Sequence, residues 1–244
     1  MTRATTGLGN WLGIILVALT TLAVFVDAVQ RVRGNEFRSA LMIGIVIAIY
    51  VGIIILTGMI MASSSSRDHE LAYIILGLAI AATPFIIIDS WWSVMITLIL
   101  VMALSLVFGA LYANPSRQHM SGWGWLTVFF FALTVILGAL TTAGGSFARS
   151  GNPFIAQWDP SPYLHAFLAT VVLALIFFTG RRHPVLVILG IIQFVSGAFN
   201  LLWPGIASVI HATLVPITCA AMGYYYMLEE RLPRSVVNPN AIWS

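Results

Sequence analysis

Long apolar stretches separated by short polar connections make up nearly all of this chain. Each stretch has about the 20 residues that an α-helix needs to cross a bilayer. The pattern predicts an all-α integral membrane protein with eight transmembrane helices. These helices are expected at 11–29, 39–61, 71–89, 91–113, 123–145, 162–180, 184–202 and 205–228.

Composition supports this class and excludes several others. Of the 244 residues, 60% are hydrophobic and only 8% are charged, whereas a soluble domain has about a quarter charged residues. The basic residues are all arginine, which excludes a mechanism that needs a Schiff-base lysine. They form no basic block suited to nucleic acid. The predicted surroundings are therefore a lipid bilayer, and no nucleic-acid partner is expected.

The arginines also indicate an orientation. With eight spans, both termini lie on one side of the membrane, and cytoplasmic loops carry the excess of positive charge. Seven arginines fall on the side of the termini and four on the other side. We therefore expect a multi-pass protein of the cell membrane with both termini in the cytoplasm. The seven are Arg3, Arg67, Arg117, Arg181, Arg182, Arg231 and Arg234, and the four are Arg31, Arg33, Arg38 and Arg149.

The two halves of the sequence resemble each other. We interpret residues 1–116 and 117–244 as two tandem four-helix units, with corresponding helices running in the same direction. Apolar composition alone offers an alternative explanation for the similarity. The matching segments are Trp11-Leu12 with Trp125-Leu126, Leu56-Thr57-Gly58 with Phe178-Thr179-Gly180, and Ile75-Leu76-Gly77 with Ile188-Leu189-Gly190.

Two histidines lie inside apolar stretches, where ionisable residues are rare and are usually functional. His165 follows Pro162 near the start of the sixth predicted span, and His211 follows Pro204 near the start of the eighth. These spans run in the same direction, so both imidazoles are expected at similar depth. Such a pair predicts axial ligation of one haem b iron. The alternative is two buried histidines hydrogen-bonded to backbone or threonine.

Residues around this pair extend the candidate site. Gln193 belongs to one polar and small face of span seven, and Gly138 to a similar face of span five. Small residues leave room for a flat macrocycle, although they also serve ordinary helix packing. Arg149, in the predicted loop before span six, is suited to pairing with a haem propionate or to anchoring at the interface. The two faces comprise Gln193, Ser196, Gly197 and Asn200, and Thr134, Gly138, Thr141 and Gly145.

Segments of the second half resemble heme A synthase. They are Ile136-Leu-Gly-Ala-Leu-Thr-Thr-Ala-Gly-Gly145, Tyr163-Leu-His-Ala166, Ile188-Leu-Gly-Ile-Ile-Gln-Phe194 and Ile210-His-Ala212. The resemblance implies eight spans in two four-helix units, each unit with a histidine pair on its second and fourth helices. His165 and His211 match the pair of the second unit, over about residues 123–228.

The first half departs from that family. Ile43 and Leu98 stand where the repeat places the two histidines, and an aliphatic side chain offers iron no lone pair. The leading hypothesis is therefore a b-type cytochrome-like subunit with one bis-histidine haem near the outer face. It would transfer electrons or support a cofactor within a membrane redox or respiratory complex, without catalysing a reaction alone. The alternatives are a haem-modifying enzyme like heme A synthase, a cofactor-free structural subunit and, more weakly, a transporter.

Overall fold

A computed structural model describes eight ranges of the chain, which are residues 7–33, 40–62, 66–87, 91–112, 122–149, 161–179, 184–202 and 205–228. Every range is helical, and no strand occurs within them. The helices are α1 Gly7–Arg33, α2 Ala40–Met61, α3 Ser66–Ile87, α4 Trp91–Tyr112, α5 Gly122–Arg149, α6 Ser161–Thr179, α7 Pro184–Leu202 and α8 Ile206–Leu228.

Six of these helices are long and apolar enough to cross a membrane, namely α1, α2, α4, α5, α6 and α8. The apolar parts of α3 and α7 are shorter, at 72–86 and 184–200. In α3 the first turn carries Arg67, Asp68, His69 and Glu70, which shortens its apolar part. The all-α class is thus confirmed, and the apolar helices are those of a multi-pass membrane protein.

Contacts between helices follow the order of the chain. In the first half, each helix packs on the next, and α4 also contacts α1. In the second half, α5 packs on α6, α6 on α7 and α7 on α8. The helices α6 and α8 are not among the pairs in close contact, so side chains must bridge the space between them.

The two halves meet mainly through α8, which packs against both α1 and α4. A Cβ atom on Gly109 of α4 would overlap the backbone carbonyl of Ala220. A Cβ atom on Gly223 of α8 would overlap the carbonyl of Leu106 in the same way. Only glycine permits this backbone approach, which is a common device for helix packing in membranes.

Buried apolar side chains form two clusters. The first lies among α1 to α4 and includes Leu16, Ile53, Ile75 and Phe108. The second cluster lies among α5, α6, α7 and α8 and includes Ile176, Leu186 and Met222, which are almost fully buried. It also includes side chains from α1 and α4. The second half therefore does not build its core alone.

Helix α5 is longer than the sequence pattern predicted. The predicted span ended at residue 145 and a loop was expected from Gly144, but the helix continues through Gly144 and Gly145 to Arg149. Glycine disfavours a helix interior by only about 1 kcal/mol, and a continuous helix satisfies its backbone groups internally, which matters in lipid. Arg149 is thus the last residue of α5 rather than a loop residue.

Candidate functional site

His165 and His211 lie side by side. Their ring centres are 6.1 Å apart and the ring planes are nearly perpendicular, at 87°. His165 lies three residues after Pro162 in α6 and His211 lies five residues after Ile206 in α8, so each is about 5 to 8 Å from the start of its apolar segment along the helix axis. The two imidazoles thus bridge the space between α6 and α8 near one end of the bundle.

Each imidazole is held by a backbone carbonyl of a neighbouring helix. Nδ1 of His165 donates to the carbonyl oxygen of Thr134 in α5, at 2.8 Å. Nδ1 of His211 donates to the carbonyl oxygen of Gln193 in α7, at 3.0 Å. A carbonyl only accepts hydrogen bonds, so Nδ1 carries the proton in both rings. In the neutral imidazole this leaves the lone pair on Nε2, the arrangement that metal-binding histidines commonly have.

A glycine makes room for each ring. A Cβ atom on Gly138 would lie 2.9 Å from Cε1 of His165. A Cβ atom on Gly197 would lie 3.0 Å from Cε1 of His211. In both cases the glycine is four residues after the carbonyl that accepts the Nδ1 hydrogen bond. Both histidines are therefore positioned in the same way, by a carbonyl that accepts the Nδ1 proton and by a glycine one helical turn later.

The environment of His211 has more polar groups than that of His165. The hydroxyl of Ser196 lies 3.2 Å from Nδ1 of His211 and donates to the Gln193 carbonyl at 2.9 Å. Gln193 Nε2 lies 3.2 Å from Nδ1 and 3.4 Å from Nε2 of the same ring, and it donates to the His211 carbonyl at 3.1 Å. Gln193 Oε1 is buried and has no hydrogen-bond partner among the described residues.

An apolar groove of about 770 Å³ adjoins the histidine site between α7 and α8. Its lining is almost entirely aliphatic and aromatic, and Ser196 is its polar member. Ser196 therefore lines the groove and also lies beside His211. The other lining residues are Ile191, Ile192, Val195, Phe199, Ile206, Ala207 and Ile210.

We tested whether these residues fit a haem. A metal bound by two imidazoles on opposite sides, at about 2 Å from each nitrogen, leaves their ring centres about 6 Å apart, close to the separation found here. No group of three or more His, Cys, Asp or Glu able to hold a metal occurs within the described ranges. Within the described helices the two imidazoles are therefore the candidate protein ligands, and a macrocycle such as haem would supply the others. The spacing of the rings and the proton on each Nδ1, which leaves Nε2 free to bind a metal, therefore fit a haem iron.

The structure brings together four of the five residues that sequence analysis named for the site: His165, His211, Gln193 and Gly138. Arg149 ends α5, but its side chain lies outside the described part of the structure. Gly197 and Ser196 lie beside His211; sequence analysis gave them only as members of a small-residue face, suited to a macrocycle or to helix packing. Their signal is the spacing from Gln193 to Gly197, which repeats the spacing from Thr134 to Gly138.

The corresponding positions of the first half look different. Ile43 in α2 is about half exposed, and Leu98 in α4 packs at the edge of the second core cluster. The polar contact between α2 and α3 is instead made by Tyr50, whose hydroxyl donates to the Ala79 carbonyl at 2.8 Å. No histidine pair occurs among the described residues of α1 to α4.

Comparisons with known proteins add no relative. No protein-family model matches the chain, and neither a curated protein nor a solved structure matches it.

Proposed function

We propose that this protein is a membrane b-type cytochrome-like subunit that holds one haem between His165 and His211. The observation that carries the proposal is the pairing of two imidazoles 6.1 Å apart, each with its Nδ1 proton directed to a helix carbonyl. Histidines that served only as hydrogen-bonding residues would not need to face each other across a space between two helices. The resemblance of the second half to heme A synthase supports the same assignment.

The chain's own residues would fix the ligands and exclude water. Thr134 and Gln193 hold the two rings, Gly138 and Gly197 leave room beside them, and the apolar core below lowers the local dielectric. When bound, the haem supplies one-electron chemistry. The role that follows is electron transfer, or support of a cofactor, within a redox or respiratory complex of the membrane. Partners would be other membrane subunits.

The membrane arrangement belongs to the same proposal. We infer eight spans in two four-helix units, because α3 and α7 pack in chain order among helices long enough to cross. At 19 residues, α7 is about 28 Å long, close to the thickness of the hydrocarbon core. Together with the arginine distribution, the proposal has both termini in the cytoplasm of the cell and the histidine pair near the outer face.

A reduced-minus-oxidised visible spectrum of the purified full-length protein tests the proposal. We expect the band of a low-spin b-type haem. A colourless protein that takes up no added haem would overturn the proposal and favour a cofactor-free structural subunit. Extraction of a chemically modified haem, after co-expression with the pathway for its precursor, would instead favour an enzyme like heme A synthase.

A further inference from the structure

The two histidines have unequal alternatives for hydrogen bonding. The ring of His165 has one partner among the described residues, the Thr134 carbonyl on its Nδ1 side. The ring of His211 has the Gln193 carbonyl and the Ser196 hydroxyl near Nδ1, and the Gln193 amide nitrogen within reach of both ring nitrogens. Among the described residues, only His211 therefore has a donor close to Nε2, the nitrogen that would bind a metal.

This donor matters when Nε2 is released from a metal. A hydrogen bond to the released ring nitrogen stabilises the released state, and it contributes more in a low dielectric. If Nε2 of His211 gives up a metal, the Gln193 amide, 3.4 Å away, can donate to its lone pair. If Nε2 of His165 does so, no described residue replaces the lost bond. Release of His211 is therefore the less costly of the two.

We propose that Gln193 makes His211 the exchangeable ligand of the pair, and that the site binds a small neutral diatomic molecule on the His211 side. This inference rests on the proposed function. In the exchange, the bond between iron and His211 Nε2 breaks and a bond between iron and the diatomic molecule forms. The exchange transfers no electron and no proton. The freed lone pair accepts a hydrogen bond from the Gln193 side chain.

Carbon monoxide is the probe, because it binds reduced haem and shifts its Soret band. The haem-loaded, dithionite-reduced protein is titrated with the gas, as wild type and as two variants. We expect the wild type to bind carbon monoxide, and Gln193→Leu to bind it roughly fivefold more weakly, the effect of one lost hydrogen bond. Thr170→Ala is the control, because its hydroxyl donates within α6 to the Ala166 carbonyl, and the affinity of this variant should equal that of the wild type.

The outcomes separate this inference from the proposed function. A low-spin haem that does not respond to carbon monoxide would overturn the inference and leave the proposed function standing. Absence of haem would overturn both. Equal affinity in wild type and Gln193→Leu would show that Gln193 does not support the exchange. Gln193→Met, of similar length and also without a donor, replaces the leucine variant if that protein does not accumulate.

Discussion

Gly138 leaves the space that the imidazole of His165 occupies: a Cβ atom at this glycine would lie 2.9 Å from Cε1 of the ring. The glycine is on α5 and the histidine on α6, so their contact fixes how closely these two helices pack at the level of the site. The hydrogen bond from His165 to the Thr134 carbonyl lies one turn earlier on α5. Ring position and helix packing are therefore set by the same few residues.

Removing either histidine should remove the haem. We expect His165→Ala and His211→Ala each to lose most bound haem, because each would delete one of the two proposed ligands. The haem content per protein, measured by pyridine haemochrome, checks this. His69→Ala is the control, since His69 lies in the first turn of α3. A normal low-spin spectrum in either of the first two variants would contradict the bis-histidine assignment.

Filling the space beside the rings should weaken haem binding without deleting a ligand. Gly138→Ala and Gly197→Ala each place a methyl group about 3 Å from an imidazole carbon, so the ring must shift. Overpacking of this kind costs about 1–3 kcal/mol, and we expect a several-fold loss of haem affinity in a titration. Gly77→Ala is the control, because an added Cβ there meets nothing within 4 Å. If all three variants bound haem as tightly as the wild type, Gly138 and Gly197 would not have this role.

Adding a single methyl group at the contact between α4 and α8 should destabilise the protein. In Gly109→Ala and Gly223→Ala the new methyl group meets a backbone carbonyl of the facing helix, so the helices themselves must separate. We expect each variant to lower the midpoint of thermal unfolding in detergent, whereas Gly58→Ala, with open space around it, should not. Unchanged midpoints for both variants would mean that the two helices tolerate a wider separation.

One haem per chain is expected. The first half has Ile43 and Leu98 at the positions that correspond to the histidines, and its described polar contacts, such as Tyr50 with Thr83 at 2.9 Å, offer no imidazole. Measurement of the iron-to-protein ratio decides the matter. A ratio of two, with the second haem among α1 to α4, would restore the chemistry of heme A synthase as the leading function.

Single cysteines should report the eight-span topology. Cys219 is the only cysteine of the chain and is buried, so Cys219→Ser provides a background without thiols. An impermeant maleimide added to intact cells is expected to label Asn35→Cys and Ser150→Cys, and to label Ser64→Cys and Ser116→Cys only after lysis. The reverse pattern would invert the orientation, and labelling of Asn35→Cys and Ser64→Cys from the same side would exclude a crossing by α2.

Periodicity and length were enough to predict the helices, because a backbone in lipid has few alternatives to an α-helix. The bounds of α2, α4, α6 and α7 fall within a few residues of the predicted ones. The end of α5 was predicted wrongly, because Gly144-Gly145 is typical of a helix end in water. The apolar part of α3, at 72–86, is shorter than the predicted span of 71–89.

The candidate site was predictable in part. The positions of His165 and His211 near the starts of two parallel spans indicated that they would be close. The acceptors of their Nδ1 protons are main-chain carbonyls, which every residue has, so no residue type revealed them. Gly197 and Ser196 were visible only as members of a small-residue face. Their distinct role depends on the rotation of α7 relative to α8, which apolar periodicity does not specify.

The close approach of α4 and α8 also bears on how the protein evolved. The helix that carries His211 has its other face against α1 and α4, through Gly109, Gly223 and side chains that complete the second core cluster. A chain without the first four helices would therefore lack the surfaces that hold α8, and with it His211, in position. Selection on the histidine site is then enough to preserve the length of the chain, and substitutions that face α8 should be accepted much less often than those that face lipid.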